Sequence, residues 1–214
     1  YVVLSGLNEN MPAAVQLFEK LLADAQVNKE AYTNMTSDIL KARSDAKLNQ
    51  GQNFSRLMSF AMYGPKSPAT NLLTEAELTN MNPQELVDRI HNQNSYKHRI
   101  LYYGPSSSKD LLATINQYHQ VPAALKDIPA GNEYSYLETP VTKVLVAPYD
   151  AKQIYMAQIS NLDKKYDPAI EPIRALYDEY FGGGMNSIVF QEMRETRGLA
   201  YSAWASIMPP SYLK

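Results

Sequence analysis

The sequence predicts an α+β fold in which helices cover one face of a mixed or antiparallel sheet. Helical and β-branched segments alternate along the chain, as expected where a sheet carries packed helices. Residues 141–147 and 153–159 read as two strands joined by the turn Pro148-Tyr149-Asp150, which indicates a hairpin. Because a hairpin requires antiparallel neighbours, it favours this class over a doubly wound parallel sheet.

The first part of the chain carries most of the predicted helices. Asn10 and Pro12 are typical of a helix start, and Thr74 with Glu77 forms a capping-box pattern. A core-facing stripe three and four residues apart follows the first start, at Ala14, Leu17, Phe18, Leu21 and Leu22. Further helices are predicted over residues 29–48, 54–63, from 82, and over 107–118, with strands at 1–7 and 97–103.

A linker divides the chain into two parts. Residues 122–140 contain three prolines and a glycine and show no apolar period. Beyond the hairpin, a helix is predicted over 169–181, a flexible break at Gly182–Gly184, and a second helix over 186–197. Gly198 fits the left-handed position that ends a helix, and residues 199–207 alternate as a strand.

Composition excludes several classes of function. The 20 basic and 22 acidic residues nearly cancel, so no nucleic-acid partner is expected, and no apolar run is long enough to span a membrane. The absence of cysteine excludes disulfides and thiolate metal sites but leaves the compartment open. Because the chain starts at Tyr1 within a strand pattern, we expect it to be part of a longer polypeptide whose targeting signals and localisation are not visible here.

The sequence contains no self-sufficient active site. His91, His98 and His119 fall in different elements, without a glutamate at metal-ligand spacing, and each is expected to be a solvated surface residue. The glycine run at 182–184 follows a helix and has no accompanying lysine, so it is interpreted as a break and not as a phosphate loop. No metal site is therefore predicted within these 214 residues.

The best functional clue is the pair Arg194 and Tyr201, which one helix-to-strand turn separates. A guanidinium fork and a phenol aimed at a common point can hold a peptide carbonyl or a carboxylate. The alternative is architectural: Arg194 favours a helix C-terminus through the dipole, and Tyr201 fills a sheet face. Spacing alone leaves both interpretations open.

The segment Asn-Ser-Ile-Val-Phe-Gln-Glu-Met-Arg-Glu-Thr-Arg-Gly-Leu-Ala-Tyr-Ser-Ala at 186–203 resembles a segment of the pitrilysin/insulysin family of zinc metallopeptidases, which includes mitochondrial processing peptidases and presequence proteases. In that family, α+β modules pair around unfolded peptides. An N-terminal module carries the inverted zinc motif, and a later zinc-free module contributes an Arg and a Tyr seven positions apart. Arg194 and Tyr201 match that spacing.

The resemblance implies that the zinc site lies in a different part of a longer protein from this chain. Residues 1–121 look like the second half of one module and residues 141–214 like the first half of the next. The helix at 170–181 contains no histidine, so Zn²⁺ is expected only in the N-terminal half of the parent, which is the implied partner together with unfolded peptide. We hypothesise that the two halves fold together as a circularly permuted module.

The implied role of this chain is to bind substrate. Tyr201 would polarise the scissile carbonyl as charge develops, and Arg194 would hold the neighbouring carbonyl or terminus. Two alternatives stay open: a non-catalytic structural or interaction module of the same family, and a small-ligand domain on a tyrosine-rich sheet, since the chain has 16 tyrosines.

Overall fold

Helices and extended segments make up the chain in the computed structural model, which describes residues 1–161 and 165–209. The first six helices are α1 to α6 in chain order. Their bounds are Met11–Ala23, Lys29–Lys47, Gln50–Tyr63, Glu75–Asn80, Gln84–His91 and Ser108–Tyr118. Short 3₁₀ turns lie at Asn8–Asn10, Pro68–Thr70, Gln93–Ser95 and Pro168–Ile170.

The last two helices end in widened turns. Helix α7, Glu171–Asp178, continues as a π-helical turn over Glu179–Gly183. Helix α8, Ile188–Phe190, continues in the same way over Gln191–Thr196. The predicted break therefore lies at Gly184, since Gly182 and Gly183 belong to the widened turn.

The described residues form two compact units. The first consists of Tyr1–Leu137 and Lys143–Ala157, and the second of Glu138–Thr142 with the described residues from 158 onward. In the first unit, Leu78 of α4 and Val87 of α5 are the buried large apolar side chains, and the Tyr32 hydroxyl donates to the Leu78 carbonyl (2.5 Å). The predicted division at 121 and 141 stays a prediction.

The α+β fold class is wrong for the described part of the chain, which contains no sheet. A single isolated parallel bridge, between Tyr96 and Lys126, is the only β pairing in those residues. The hypothesis of a circularly permuted module assumed one sheet shared by both halves of the chain. It is therefore corrected together with the α+β fold class. Regular secondary structure is absent from five segments that were expected as strands: 1–7, 97–103, 141–147, 153–159 and 199–207.

In the predicted hairpin segment, the Ala151 N–H donates to the Tyr149 carbonyl (3.0 Å), and the long-range hydrogen bonds go to the end of α2 and the start of α3. The Tyr149 hydroxyl donates to the Leu48 carbonyl (2.5 Å), and the Gln50 amide donates to the Gln153 carbonyl (2.7 Å). The rings of Phe54 and Tyr155 lie 5.4 Å apart. The Gln153 carbonyl is a backbone group that a two-stranded ladder would use, and an isolated hairpin is at best marginally stable in water.

The helix starts follow the predicted chemistry in part: Asn10 and Pro12 stand at the start of α1, but the Asn10 side chain makes no capping hydrogen bond. The Asn28 side chain accepts from the Ala31 N–H (2.9 Å), and the predicted capping box at Thr74 and Glu77 is confirmed. In that box the Thr74 N–H and hydroxyl both donate to Glu77 Oε2, at 2.7 and 2.8 Å. These bonds, the backbone one first, lower the pKa of the Glu77 carboxyl.

Replacing Thr74 by alanine is expected to raise the pKa of Glu77 towards its ordinary value, because one of the two donors is lost. A carboxyl group whose pKa is lower in the folded than in the unfolded state contributes stability at pH values above its unfolded-state pKa. This contribution disappears as the pH falls through the folded-state pKa. An NMR titration of the Glu77 carboxyl carbon measures the shift. Thr74→Ser keeps both donors and serves as the control; equal midpoints in the two variants would contradict the assignment.

Replacing Asn28 by alanine is expected to destabilise the first unit by about 1 kcal/mol, since the Ala31 N–H loses its acceptor at the start of α2. Urea denaturation followed by circular dichroism measures this loss. Asn28→Asp keeps a capping oxygen and should remain within about 0.5 kcal/mol of wild type.

Candidate substrate-binding site

Arg194 lies near the end of the last helix of the second unit. Ser187, which is fully buried, caps α8 by accepting from the Phe190 N–H through Oγ (3.4 Å). The helix ends where the Gly198 N–H donates to the Arg194 carbonyl (3.1 Å) and the Leu199 N–H donates to Met193 (2.8 Å). Gly198 has a φ of 56°, so the predicted left-handed stop is confirmed.

This stop returns the chain so that Tyr201 meets Arg194. The Arg194 guanidinium carbon lies 4.6 Å from the centroid of the Tyr201 ring and 4.9 Å from that of Phe190. The guanidinium therefore contacts the π faces of two aromatic rings, the arrangement in which a cation–π attraction is effective. The sequence predicted the proximity of Arg194 and Tyr201 but missed Phe190, four residues before Arg194 on the same helix.

The polar ends of the pair remain accessible. Tyr201 is 84% exposed, and in the described part of the chain its hydroxyl has no hydrogen-bond partner. Arg194 makes a loose ion pair from Nε to Glu195 Oε1 (3.5 Å). A stacked guanidinium whose edge faces solvent can still donate in its plane to a carbonyl or carboxylate. The arrangement can thus bind a peptide group without giving up its own packing.

A charged network fixes the segment that follows Tyr201. Arg174 of α7 donates to Glu171 Oε2 (2.9 and 3.0 Å), to Asp178 Oδ2 (2.6 Å) and to the Ile207 carbonyl (3.1 Å). Asp178 Oδ1 in turn accepts from the Ile207 N–H (2.8 Å). The bonds to Glu171, with the two carboxylates nearby, raise the pKa of Arg174. Sequence reasoning missed this network, although the spacing of Glu171, Arg174 and Asp178 is the helical ion-pair signal.

The histidines are not all solvated surface residues. His119 Nδ1 lies 2.6 Å from Glu19 Oε1, where the two side chains are only 12% and 15% exposed, and its Nε2 lies 2.8 Å from Nε2 of His98. His91 Nε2 donates to the Ala25 carbonyl (2.9 Å). Across residues 1–161 and 165–209, no three His, Cys, Asp or Glu side chains form a group that could hold a metal ion.

The first unit contains a separate polar cleft of about 400 Å³. It is lined by Lys66, Ser67, Thr70, Asn71, Asn132, Glu133, Tyr134 and Ser135. Beside it the rings of Tyr63 and Tyr136 lie 4.8 Å apart, and their hydrogen bond, more than burial, raises the pKa of Tyr63. These tyrosines lie close together, but the sheet on which a small-ligand site was expected is absent from the described residues.

None of the helices in the described part of the chain is both long and apolar enough to cross a membrane. No protein-family model and no curated protein matches the chain. The local arrangement of Arg194, Phe190 and Tyr201 is therefore the structural basis for a functional proposal.

Proposed function

We propose that this chain is the zinc-free, substrate-binding part of a zinc-dependent endopeptidase that degrades or processes unfolded peptides. The observation that carries the proposal is the stack of Arg194 on Tyr201, with the phenol hydroxyl exposed. Packing against two rings restricts the guanidinium, so less side-chain entropy is lost when it binds a carbonyl. The resemblance of residues 186–203 to the pitrilysin/insulysin family supports the same role.

In this proposal the chain contributes positioning and charge stabilisation. Arg194 donates in the plane of its guanidinium to a substrate carbonyl or carboxylate terminus and so sets the register of the peptide. The Tyr201 hydroxyl donates to the carbonyl whose oxygen gains charge during hydrolysis. The hydrolytic centre, with its Zn²⁺, belongs to the N-terminal half of the parent polypeptide, which is the partner that the proposal requires.

A second candidate function is a non-catalytic interaction module. The observation that favours it is the apolar face of α7 and of the widened turn that continues it, where a shallow apolar depression of about 330 Å³ is lined by Ile173, Leu176, Tyr177 and Tyr180. Leu176 and Tyr180 are exposed there. Exposed apolar patches of this kind are common at protein–protein contacts.

Cleavage of an unfolded peptide by the full-length parent tests the proposed function, with zinc content measured on the parent and on residues 1–214 alone. The proposal expects one zinc per parent, none bound to this chain, and a rise in KM of about tenfold or more for Arg194→Ala, because the charged hydrogen bond to substrate is lost. Arg194→Lys is the matched control, because it keeps the charge but loses the planar fork. Its KM should lie between that of wild type and that of Arg194→Ala. A parent without peptidase activity would favour the interaction module.

A further inference from the structure

We infer that His98 and His119 share one proton between their Nε2 atoms and that this proton closes a pH-dependent latch in the first unit. The latch consists of Glu19 on α1, His119 at the end of α6, and His98 in the segment after Tyr96. None of these residues belongs to the Arg194–Tyr201 site, so the inference is independent of the proposed function.

The hydrogen bonds at Nδ1 fix both imidazole tautomers. His98 Nδ1 lies 2.7 Å from the Tyr96 carbonyl oxygen, which has no hydrogen to donate, so this nitrogen carries the N–H. His119 Nδ1 lies 2.6 Å from Glu19 Oε1, and an ionised carboxylate only accepts. Both Nδ1 atoms are therefore donors. In the neutral rings, both Nε2 atoms then carry lone pairs.

Those two Nε2 atoms face each other at 2.8 Å. Two lone pairs at this distance repel, whereas one proton between them turns the contact into an N–H···N hydrogen bond of ordinary length. The rings are nearly perpendicular, with centroids 4.9 Å apart, so each nitrogen points towards the other ring's nitrogen and the rings do not stack. The geometry thus requires a cation between the rings.

A proton fits this space better than a metal ion. Zinc binds imidazole nitrogen at about 2.0–2.1 Å with tetrahedral angles, which places two ligand nitrogens roughly 3.3 Å apart. The observed 2.8 Å is shorter than that separation. The charge balance also suits a proton, since the positive imidazole pair lies against the single Glu19 carboxylate, whose other oxygen accepts from Asn94 (2.8 Å).

The latch connects parts of the unit that are far apart in sequence. Glu19 lies on α1, and His119 directly follows α6. The segment that carries His98 is held by the bridge between Tyr96 and Lys126. Lys97 and Arg99 flank His98 in the chain, and Lys97 is paired with Asp127 (2.5 Å). Lys126 lies 5.8 Å from the centroid of the Tyr96 ring. No second carboxylate in the described residues contacts the imidazole pair, so Glu19 alone balances it.

The proton count determines the response to pH. When the shared proton leaves, the facing lone pairs repel and the contact opens. When a second proton arrives in acid, both Nε2 atoms carry hydrogens that face each other, and the contact opens again. The latch is therefore closed at the intermediate pH where the pair holds one proton. As the pH rises, the unfolded chain loses this proton before the folded chain does. Over that range the folded-to-unfolded ratio falls by up to about tenfold per pH unit.

Urea unfolding of the whole chain between pH 5 and pH 9 tests the latch. We expect wild-type stability to pass through a maximum, and we expect His98→Ala to flatten the curve. His91→Ala is the matched control because His91 contacts the Ala25 carbonyl and lies outside the latch, so its curve should keep the maximum. A maximum retained by His98→Ala, or one lost in His91→Ala, would overturn the proposal.

The tautomers give a second measurement that does not depend on stability. Long-range ¹H–¹⁵N NMR should show a proton on Nδ1 of both His98 and His119 at the pH of maximum stability, with one further proton on the Nε2 pair. A neutral ring protonated only at Nε2 would contradict the proposal. Titration with Zn²⁺ separates the two cations: stoichiometric binding that shifts both Nε2 signals would show that the pair is a metal site.

Discussion

In the proposed peptidase, replacing Tyr201 by phenylalanine is expected to lower kcat by about a hundredfold to a thousandfold, with little change in KM. This is the usual cost of removing one donor to a developing oxyanion. The geometry makes the change unusually specific. Arg194 contacts the face of the Tyr201 ring, at 4.6 Å from the centroid, and that face is retained in phenylalanine. Only the exposed hydroxyl is removed.

Tyr201→Ala is the companion variant, since it also removes the ring. Arg194 then loses one of its two aromatic contacts, so KM should rise as well as kcat fall. Steady-state kinetics on an unfolded peptide, with zinc content checked for each protein, separates the two effects. If Tyr201→Phe turns over peptide at the wild-type rate, the phenol has no role in the chemistry and the pair is architectural.

The helices could be predicted because their signals are local. An N-cap side chain bonds within three residues, as Asn28 and Thr74 do, and a left-handed glycine such as Gly198 ends a helix through its own backbone. Predicted and observed bounds agree within a few residues for α1, α2 and α6. These outcomes do not depend on how distant parts of the chain pack.

The strands could not be predicted because a strand is defined by its partner. Residues 141–147 have the β-branched composition of a strand, yet Val144 is 84% exposed. Composition indicates only that extended backbone is favourable. Whether a neighbouring segment supplies the ladder depends on long-range contacts, and here residues 149–155 bond to side chains and ends of α2 and α3 instead.

The candidate site also combines local contacts, which could be predicted from the sequence, with long-range contacts, which could not. The proximity of Arg194 and Tyr201 followed from one local turn, so the sequence contained it. The bonds from Arg174 and Asp178 to Ile207 span about 30 residues. The sequence therefore did not show that these residues would be hydrogen-bond partners. The convergence of Glu19, His98 and His119 is also long-range, which is why the histidines were expected to be separate surface residues.

Replacing Gly182 by alanine is expected to destabilise the second unit by about 3 kcal/mol or more. A Cβ at this position would lie 2.3 Å from both the amide nitrogen and the carbonyl oxygen of Ala205, which no rotamer change can relieve because both are backbone atoms. Overpacking by one carbon ordinarily costs about 1–3 kcal/mol, and a rigid neighbour places this site at the upper end. The close approach holds the segment after Tyr201 against the widened end of α7.

The single tryptophan provides the measurement. Trp204 precedes Ala205, so its fluorescence during urea denaturation reports on the segment that the substitution displaces. Gly184→Ala is the matched control, because its backbone is extended (φ −151°) and the nearest atom to its Cβ would be Glu179 Oε2 at 3.8 Å. That variant should stay within about 0.5 kcal/mol of wild type. Because Ala205 follows Tyr201 closely in the chain, Gly182→Ala in the parent should also weaken peptide cleavage, while Gly184→Ala should not. Equal unfolding midpoints for the two alanine variants would show that the contact at Gly182 is not what holds this segment in place.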